Sequence, residues 1–185
     1  MNKGAYLEII IGPMFSGKTS SLINTYRHYN FCKIPVAVIT HLSDKRYDDS
    51  LLSTHDKVTI DCIFTDSLNS LFLSEDLIQK NQIFLINEAQ FFMDLKEFVN
   101  ALLEKGKKVY LYGLDGDFQK KQFGQIIDLI PICDKITKLN ALCAKCCDGT
   151  PGIFSMRLTE DKNQFLIGGA DKYIPVCRNC HITVP

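Results

Sequence analysis

No stretch of the 185 residues approaches the roughly 18 consecutive apolar residues that a membrane-spanning helix needs. The apolar run near the N-terminus is interrupted by Glu8 and by Gly12-Pro13, so it does not read as a secretory leader. Excess charge is missing too: 21 basic residues balance 21 acidic ones, which removes any global field that would draw nucleic acid or an anionic membrane. Any phosphate site must then be local and its substrate small. Internal repeats and low-complexity tracts are also missing, and 46% apolar content supplies a packed core, which excludes disorder. These features describe a soluble cytoplasmic protein with one large domain and a small appendage.

What is present begins with Gly12-Pro13-Met14-Phe15-Ser16-Gly17-Lys18-Thr19, which fits the phosphate-binding loop pattern G-x-x-x-x-G-K-[ST]. Its flanks suit it, since residues 6–11 read as a strand and residues 20–29 as a helix opening on the loop. Glycines allow backbone N–H groups to turn onto phosphate oxygens, and the helix N-terminus adds partial positive charge. Lys18 would reach the β- and γ-phosphates of a nucleoside triphosphate, and the Thr19 hydroxyl would sit on magnesium.

Beyond the first helix, residues 35–40 predict a buried strand, residues 58–64 a shorter one, and residues 83–87 a third. Residues 94–105 predict a helix with Leu95, Phe98, Val99 and Leu102 on one face and Gly106 as its stop. Further strands are predicted over 109–114 and 135–139. Strands alternating with helices predict an α/β fold, a mostly parallel sheet with helices on both faces, whose ligands bind beyond the carboxyl ends of the strands. From residue 142 the helical pattern gives way to Cys, Gly and Pro, so residues 1–141 are expected to form the nucleotide-binding domain and residues 142–185 a second, smaller one.

Eight cysteines in a chain of this length are not needed as disulfide staples. Cys143-x-x-Cys146 and Cys177-x-x-Cys180 form two knuckles, and four thiolates on two tight turns make a closed tetrahedral zinc site, structural because it offers no open position. The competing reading is four buried core cysteines, and His181 stands close enough to replace one thiolate.

Asn87-Glu88 at a strand end is the second functional signal, because phosphate-loop enzymes place an acidic residue there near the magnesium shell and Glu88 can accept a proton. The alternative is a solvated Glu starting the next helix. In the loop after the second strand, Asp44-Lys45-Arg46-Tyr47-Asp48-Asp49 offers Arg46 as a transition-state clamp with Asp44 as its orienter, or simply a solvated charge run. Phe91, Phe92, Phe118 and Phe123 provide planar rings suited to a flat base or to core plugs.

The chain closely resembles the type II thymidine kinases, the cellular and poxvirus-like class. The matching segments are residues 12–19, Asp44-x-Arg46-Tyr47 with Thr54-His55-Asp56, and Glu88-x-Gln90-Phe91-Phe92. Leu114-Asp115-Gly116-x-Phe118-Gln119-x-Lys121-x-Phe123-Gly124, the four cysteines, and Gly168-Gly169-Ala170-Asp171-Lys172-Tyr173 complete the match. The resemblance implies transfer of the ATP γ-phosphate to the 5′-hydroxyl of thymidine or deoxyuridine. It makes Glu88 the base, places Arg46 in the same region and Asp44 at the phosphate end, and puts residues 12–19 with Asn87 and Gln90 around ATP and magnesium. Met14, Gln90, Phe91, Leu114, Phe118, Phe123 and Tyr173 would enclose the nucleoside. A lasso between zinc-held ribbon and core would grip the base through the backbone of Gln164, Phe165 and Leu166, with Ser155 near the thymine methyl. The resemblance further implies a homotetramer inhibited by thymidine triphosphate, with no nucleic-acid or membrane partner.

Asn87 stands where that family usually has Asp, and Ser155 where Thr is expected; both put rate and substrate preference at stake. The competing functions are a catalytically weak nucleoside-binding protein and a zinc-ribbon phosphate-loop ATPase. The absence of a Lys/Arg stripe near the cysteines speaks against nucleic-acid binding.

Overall fold

The computed structural model describes residues 4–44, 51–53 and 59–182. In chain order its elements begin with β1 (Tyr6–Ile11), α1 (Lys18–Phe31), β2 (Val36–His41), β3 (Leu51–Ser53), β4 (Thr59–Asp61), β5 (Ile63–Thr65) and α2 (Glu75–Lys80). They continue with β6 (Ile83–Asn87), α3 (Leu95–Glu104), β7 (Lys108–Gly113), β8 (Lys135–Lys138), β9 (Ala141–Leu142), β10 (Pro151–Gly152), β11 (Phe154–Arg157), β12 (Tyr173–Val176) and α4 (Arg178–Ile182).

Side chains alternate across a strand, so the apolar runs separate into two layers. Leu7, Ile9, Ile39, Phe84, Ile86, Val109 and Leu111 fall on one face of the sheet, where Leu95, Phe98, Val99 and Leu102 of α3 cover them. Ile10, Val38, Leu85, Tyr110 and Tyr112 fall on the other, against Leu22 and Ile23 of α1. The main sheet has six strands in the order β5-β2-β6-β7-β1-β8, and every pairing in it is parallel. Parallel pairing puts the carboxyl ends of β1, β2, β6 and β7 on one edge, and the loops that follow them meet there.

Helix α3 ends as its sequence predicts: Lys105 is the C-cap, and Gly106 at φ 71° donates its N–H to the Leu103 carbonyl. The single strand expected over residues 58–64 differs from what is found. Its described part forms two short strands, β4 pairing antiparallel with β3 and β5 parallel with β2 at the sheet edge. An apolar run records extended backbone but not which sheet receives it, and the chain changes sheets at Cys62. Helix α2 was not expected either; Ile78 is its one buried residue, too little for a periodic signal.

After β8 the chain leaves the main sheet. β9 pairs antiparallel with β10 and β11 with β12, and the small core beneath them is Cys143, Met156, Val176 and Cys177. No helix among the described residues is long and apolar enough to cross a membrane.

Candidate active site

The phosphate loop runs from the end of β1 into α1, as its sequence predicts. Phe15 at φ 64° and Gly17 at φ 84° take the left-handed conformation that curls a loop back on itself. Lys18 Nζ donates to the carbonyls of Gly12 at 3.1 Å and Pro13 at 2.7 Å, so the amine lies along the loop it belongs to. Gly12 is a cradle: a Cβ there would collide with the Leu139 carbonyl and come 2.8 Å from Ser16 Oγ. Ser16 Oγ is itself shielded from solvent and has no hydrogen-bond partner among the described residues, so a polar hydroxyl waits inside the loop. A cradle without room for a side chain and an unmatched hydroxyl both fit an oxygen-rich ligand. Thr19 follows in the first turn of α1.

Glu88 leaves the end of β6 with φ 50° and ψ 41°, a left-handed conformation uncommon for a non-glycine residue. Its backbone is held by the single 3-10 turn Ala89–Phe91, in which the Phe91 N–H donates to the Glu88 carbonyl at 3.0 Å. Its carboxylate is held by Gln90, whose Nε2 donates to Glu88 Oε2 at 2.6 Å. Gln90 is 1% exposed, and its Oε1 accepts the Leu114 N–H at 3.0 Å, which anchors the amide to the end of β7. Gly124 at φ 61° makes room for this arrangement, since a Cβ there would run into the Gln90 carbonyl. A carboxylate fixed by an amide donor keeps its acceptor character.

Asn87, buried to 2% exposure, lies opposite Thr40 in the β2–β6 register and donates through Nδ2 to Thr40 Oγ1 at 3.2 Å. The next residue of β2 is His41. Its Nδ1 accepts the Ser43 N–H at 3.2 Å and lies 2.6 Å from Ser43 Oγ, which assigns the proton of the neutral ring to Nε2. Burial lowers the His41 pKa below its usual value, against the opposing pull of Asp66, Glu88 and Asp94. Asp44 ends the 3-10 turn Leu42–Asp44 after β2. Arg46, Tyr47, Thr54, His55 and Asp56 lie outside the described residues.

An aromatic cluster forms around Phe91. Its ring lies 5.3 Å from Phe123 and 4.7 Å from Phe165, both edge to face, and 5.5 Å from His41. Phe92 is a core residue with no exposed surface. Phe165 comes from the C-terminal segment, so this cluster already joins the two parts of the chain. Five further contacts do the same. Met14 N–H donates to Ser155 Oγ at 2.9 Å, tying the phosphate loop to β11. Gln164 Nε2 donates to Asp117 Oδ2 at 2.7 Å and to the Gln122 carbonyl at 3.0 Å. His181 Nε2 lies 3.0 Å from the Phe118 carbonyl. The Arg157 guanidinium lies 3.7 Å from the centre of the Phe118 ring, between that residue and Tyr173. Tyr173 OH donates to the Leu166 carbonyl at 2.8 Å.

Sequence reasoning missed Arg157, Asp117 and Thr40. Asp117 Oδ1 accepts the N–H groups of Gln119 and Lys121, while Oδ2 takes Gln164, so one buried carboxylate shapes the loop after β7 and straps the C-terminal segment to it. Asp-Gly-Asp in a loop was the available signal, but its partner lies 47 positions away.

Cys143, Cys146, Cys177 and Cys180 converge, their sulfurs all within 4.8 Å of one another. Cys146 Sγ is 3.7 Å from Cys177 Sγ and 3.5 Å from Cys180 Sγ. A tetrahedral ion with metal–sulfur bonds of about 2.3 Å needs edges of about 3.8 Å, so the set fits such an ion. Burial would raise the Cys143 thiol, but the backbone N–H groups of Cys146, Cys177 and Lys145 bring its pKa down to about 6, while sharing with Cys180, Cys143 and Cys177 pushes Cys146 up. His181, the alternative ligand, instead reaches the Phe118 carbonyl and stays out of the cluster.

The thymidine kinase family profile matches residues 5–181. The thymidine kinase of sheeppox virus (strain KS-1) is 40% identical over 176 residues, 95% of this chain and 96% of that protein. Thymidine kinase 1 of Dictyostelium discoideum is 39% identical over 179 residues, 95% of this chain and 77% of its own length. The thymidine kinase of vaccinia virus (strain Western Reserve) is 38% identical over 179 residues, 97% of this chain and 98% of its own.

Proposed function

The chain belongs to the thymidine kinase family of ATP-dependent phosphotransferases, and on that premise we propose that it moves the γ-phosphate of ATP to the 5′-hydroxyl of thymidine or deoxyuridine. The observation that carries the reading is the Glu88 carboxylate, set at the carboxyl edge of the sheet by a left-handed backbone and by the Gln90 amide at 2.6 Å. Glu88 takes the proton of the 5′-hydroxyl as the new oxygen–phosphorus bond forms; the bond to the β-bridging oxygen breaks and ADP leaves. Lys18 exchanges the Gly12 and Pro13 carbonyls for oxygens of the transferring phosphate, and the loop from Gly12 to Gly17 wraps the triphosphate. Arg46 and Asp44 act at the same end. Thr19 and Asn87 would hold magnesium, which would supply neutralisation of the phosphate charge when bound.

Met14, Phe91, Leu114, Phe118, Phe123, Ser155 and Tyr173 enclose the nucleoside, and the backbone of Gln164, Phe165 and Leu166 reads the base. Zinc is the ion that the four thiolates would hold. Its role is structural because four protein ligands close the shell. We place the enzyme in the cytoplasm as a homotetramer subject to inhibition by thymidine triphosphate, with residues 142–185 as a separate lasso domain. The test is label transfer from γ-labelled ATP to a panel of free nucleosides. Thymidine and deoxyuridine should take label; no labelled nucleoside, or deoxycytidine and deoxyguanosine used as well as thymidine, overturns the reading.

A further inference from the structure

We propose that Arg157 is the positioning residue that folds the lasso, a cation around which residues 161–166 are wound; this rests on the reading of that segment as the one that grips the base. Arg157 is 8% exposed and lies opposite Tyr173 in the β11–β12 pairing. Nε donates to Tyr173 OH at 3.1 Å, and Nη2 donates to the same oxygen at 2.7 Å. Nη1 donates to the carbonyls of Asp161 at 2.8 Å and Asn163 at 2.5 Å, and Nη2 to the Gln164 carbonyl at 3.3 Å. Five contacts match the five N–H donors of a guanidinium.

Every acceptor is a neutral oxygen, so among the described residues the charge has no carboxylate within hydrogen-bonding range. Its compensation is the lasso backbone itself, and a buried cation that lost those carbonyls would be strongly disfavoured. The Tyr173 hydroxyl extends the arrangement by one residue, accepting twice from Arg157 and donating to the Leu166 carbonyl. Four lasso carbonyls, those of residues 161, 163, 164 and 166, are thus turned toward one centre. In a planar trans peptide the N–H of the next residue points the opposite way. Turning the Gln164 and Leu166 carbonyls inward therefore turns the N–H groups of Phe165 and Ile167 away from the arginine, as hydrogen-bond donors on the other side of the loop. The guanidinium plane also stacks on Phe118 of the core loop at 3.7 Å, which registers the wound segment against the sheet.

A lysine carries the charge but not the fork, and its three N–H donors cannot serve four acceptor oxygens at once. In the zinc-loaded enzyme, Arg157→Lys should raise the KM for thymidine by about tenfold or more, the scale of one to two charged hydrogen bonds, with the KM for ATP within about twofold. Zinc content should stay unchanged, and trypsin should cut after Lys162 faster than in the wild type. Tyr173→Phe keeps the ring and removes the relay, so it should move thymidine KM and cleavage after Lys162 the same way by a smaller factor.

A thymidine KM within about twofold of wild type in Arg157→Lys, or KM values for thymidine and ATP rising together with zinc loss, overturns the proposal. If Arg157→Lys does not accumulate as folded protein, Tyr173→Phe decides, and unchanged KM with unchanged cleavage overturns it. A wild type that labels no nucleoside sinks the kinase reading instead, while the cleavage comparison still judges Arg157.

Discussion

In the parallel sheet and the helix α3 that covers it, Phe84, Leu85, Ile86, Phe98 and Leu102 have no exposed surface, whereas the buried core beneath the C-terminal ribbons consists of two cysteines, Met156 and Val176. Burying a large apolar side chain contributes about 1.5–3 kcal/mol, so the sheet is held by many such contributions and the ribbons by very few. The ribbons converge instead on four sulfurs, and a structural zinc in such a set supplies apparent binding energies of about 10–16 kcal/mol. One half of the molecule is stabilised by exclusion of water; on the proposed reading the other would be stabilised by ligation. The candidate site draws on both: the phosphate loop, Glu88 and Gln90 belong to the first half, while Ser155, Gln164, Phe165 and Tyr173 belong to the second. Chemistry and phosphate binding should therefore respond to changes in the sheet, and nucleoside affinity to changes among the cysteines.

The sharpest test of that division is Glu88→Gln. Turnover should fall about 10²- to 10⁴-fold while thymidine KM stays within a few-fold, because the amide keeps the shape and loses the proton acceptor. Turnover near wild type would take Glu88 out of the reaction. From the other half, Cys146→Ser or chelation should raise thymidine KM on the order of a hundredfold through a misplaced lasso. Circular dichroism of the sheet and affinity for ATP should be nearly unchanged; loss of ATP binding in parallel would mean that the two halves are not separately supported.

A smaller effect is expected at the residue that supports Glu88 from within the first half. Gln90→Leu removes the donor to Glu88 and strands the Leu114 N–H, so turnover should fall about tenfold with unaltered zinc content. Equal turnover would show that Gln90 does not orient the carboxylate. Smaller again is Asn87→Asp, which should lower the magnesium concentration for half-maximal activity a few-fold without changing thymidine KM; coincident magnesium titrations would place residue 87 outside the metal's surroundings.

The smallest effect is expected at His41. Its folded pKa lies below the unfolded value of about 6.5, so the stability it contributes is present above that value and fades as pH falls toward the folded pKa. Asp66, Glu88 and Asp94 face it and limit the shift. Urea denaturation of His41→Gln between pH 7 and 5 should show a flatter loss of stability than the wild type, and identical slopes would refute a buried neutral ring.

The parts legible in the sequence were those whose cause is local. The phosphate loop, the strands at 6–11 and 83–87, and helix α3 with its glycine stop all follow from spacing within a dozen residues, and the structure has them within a residue or two. The cysteine knuckles were legible as pairs, and their convergence bears out the spacing argument. The division of residues 58–64 between two sheets was not legible, because partner choice is decided by β2 and β3. Arg157 was passed over for a related reason: in a polar stretch it looks like a solvated charge. The return of residues 161–166 around it, with Phe118 and Tyr173, makes it buried.

The hydrogen bond from the Met14 N–H to Ser155 Oγ has a thermodynamic consequence. Met14 sits in the loop proposed to wrap the triphosphate, and Ser155 sits on the strand that leads into the segment proposed to grip the base. On that reading a shift of the loop on closing over the donor nucleotide would strain or relieve the strand, and a shift of the strand on closing over the acceptor would do the same to the loop. Linkage makes that exchange reciprocal: whatever factor ATP applies to thymidine affinity through this contact, thymidine must return to ATP.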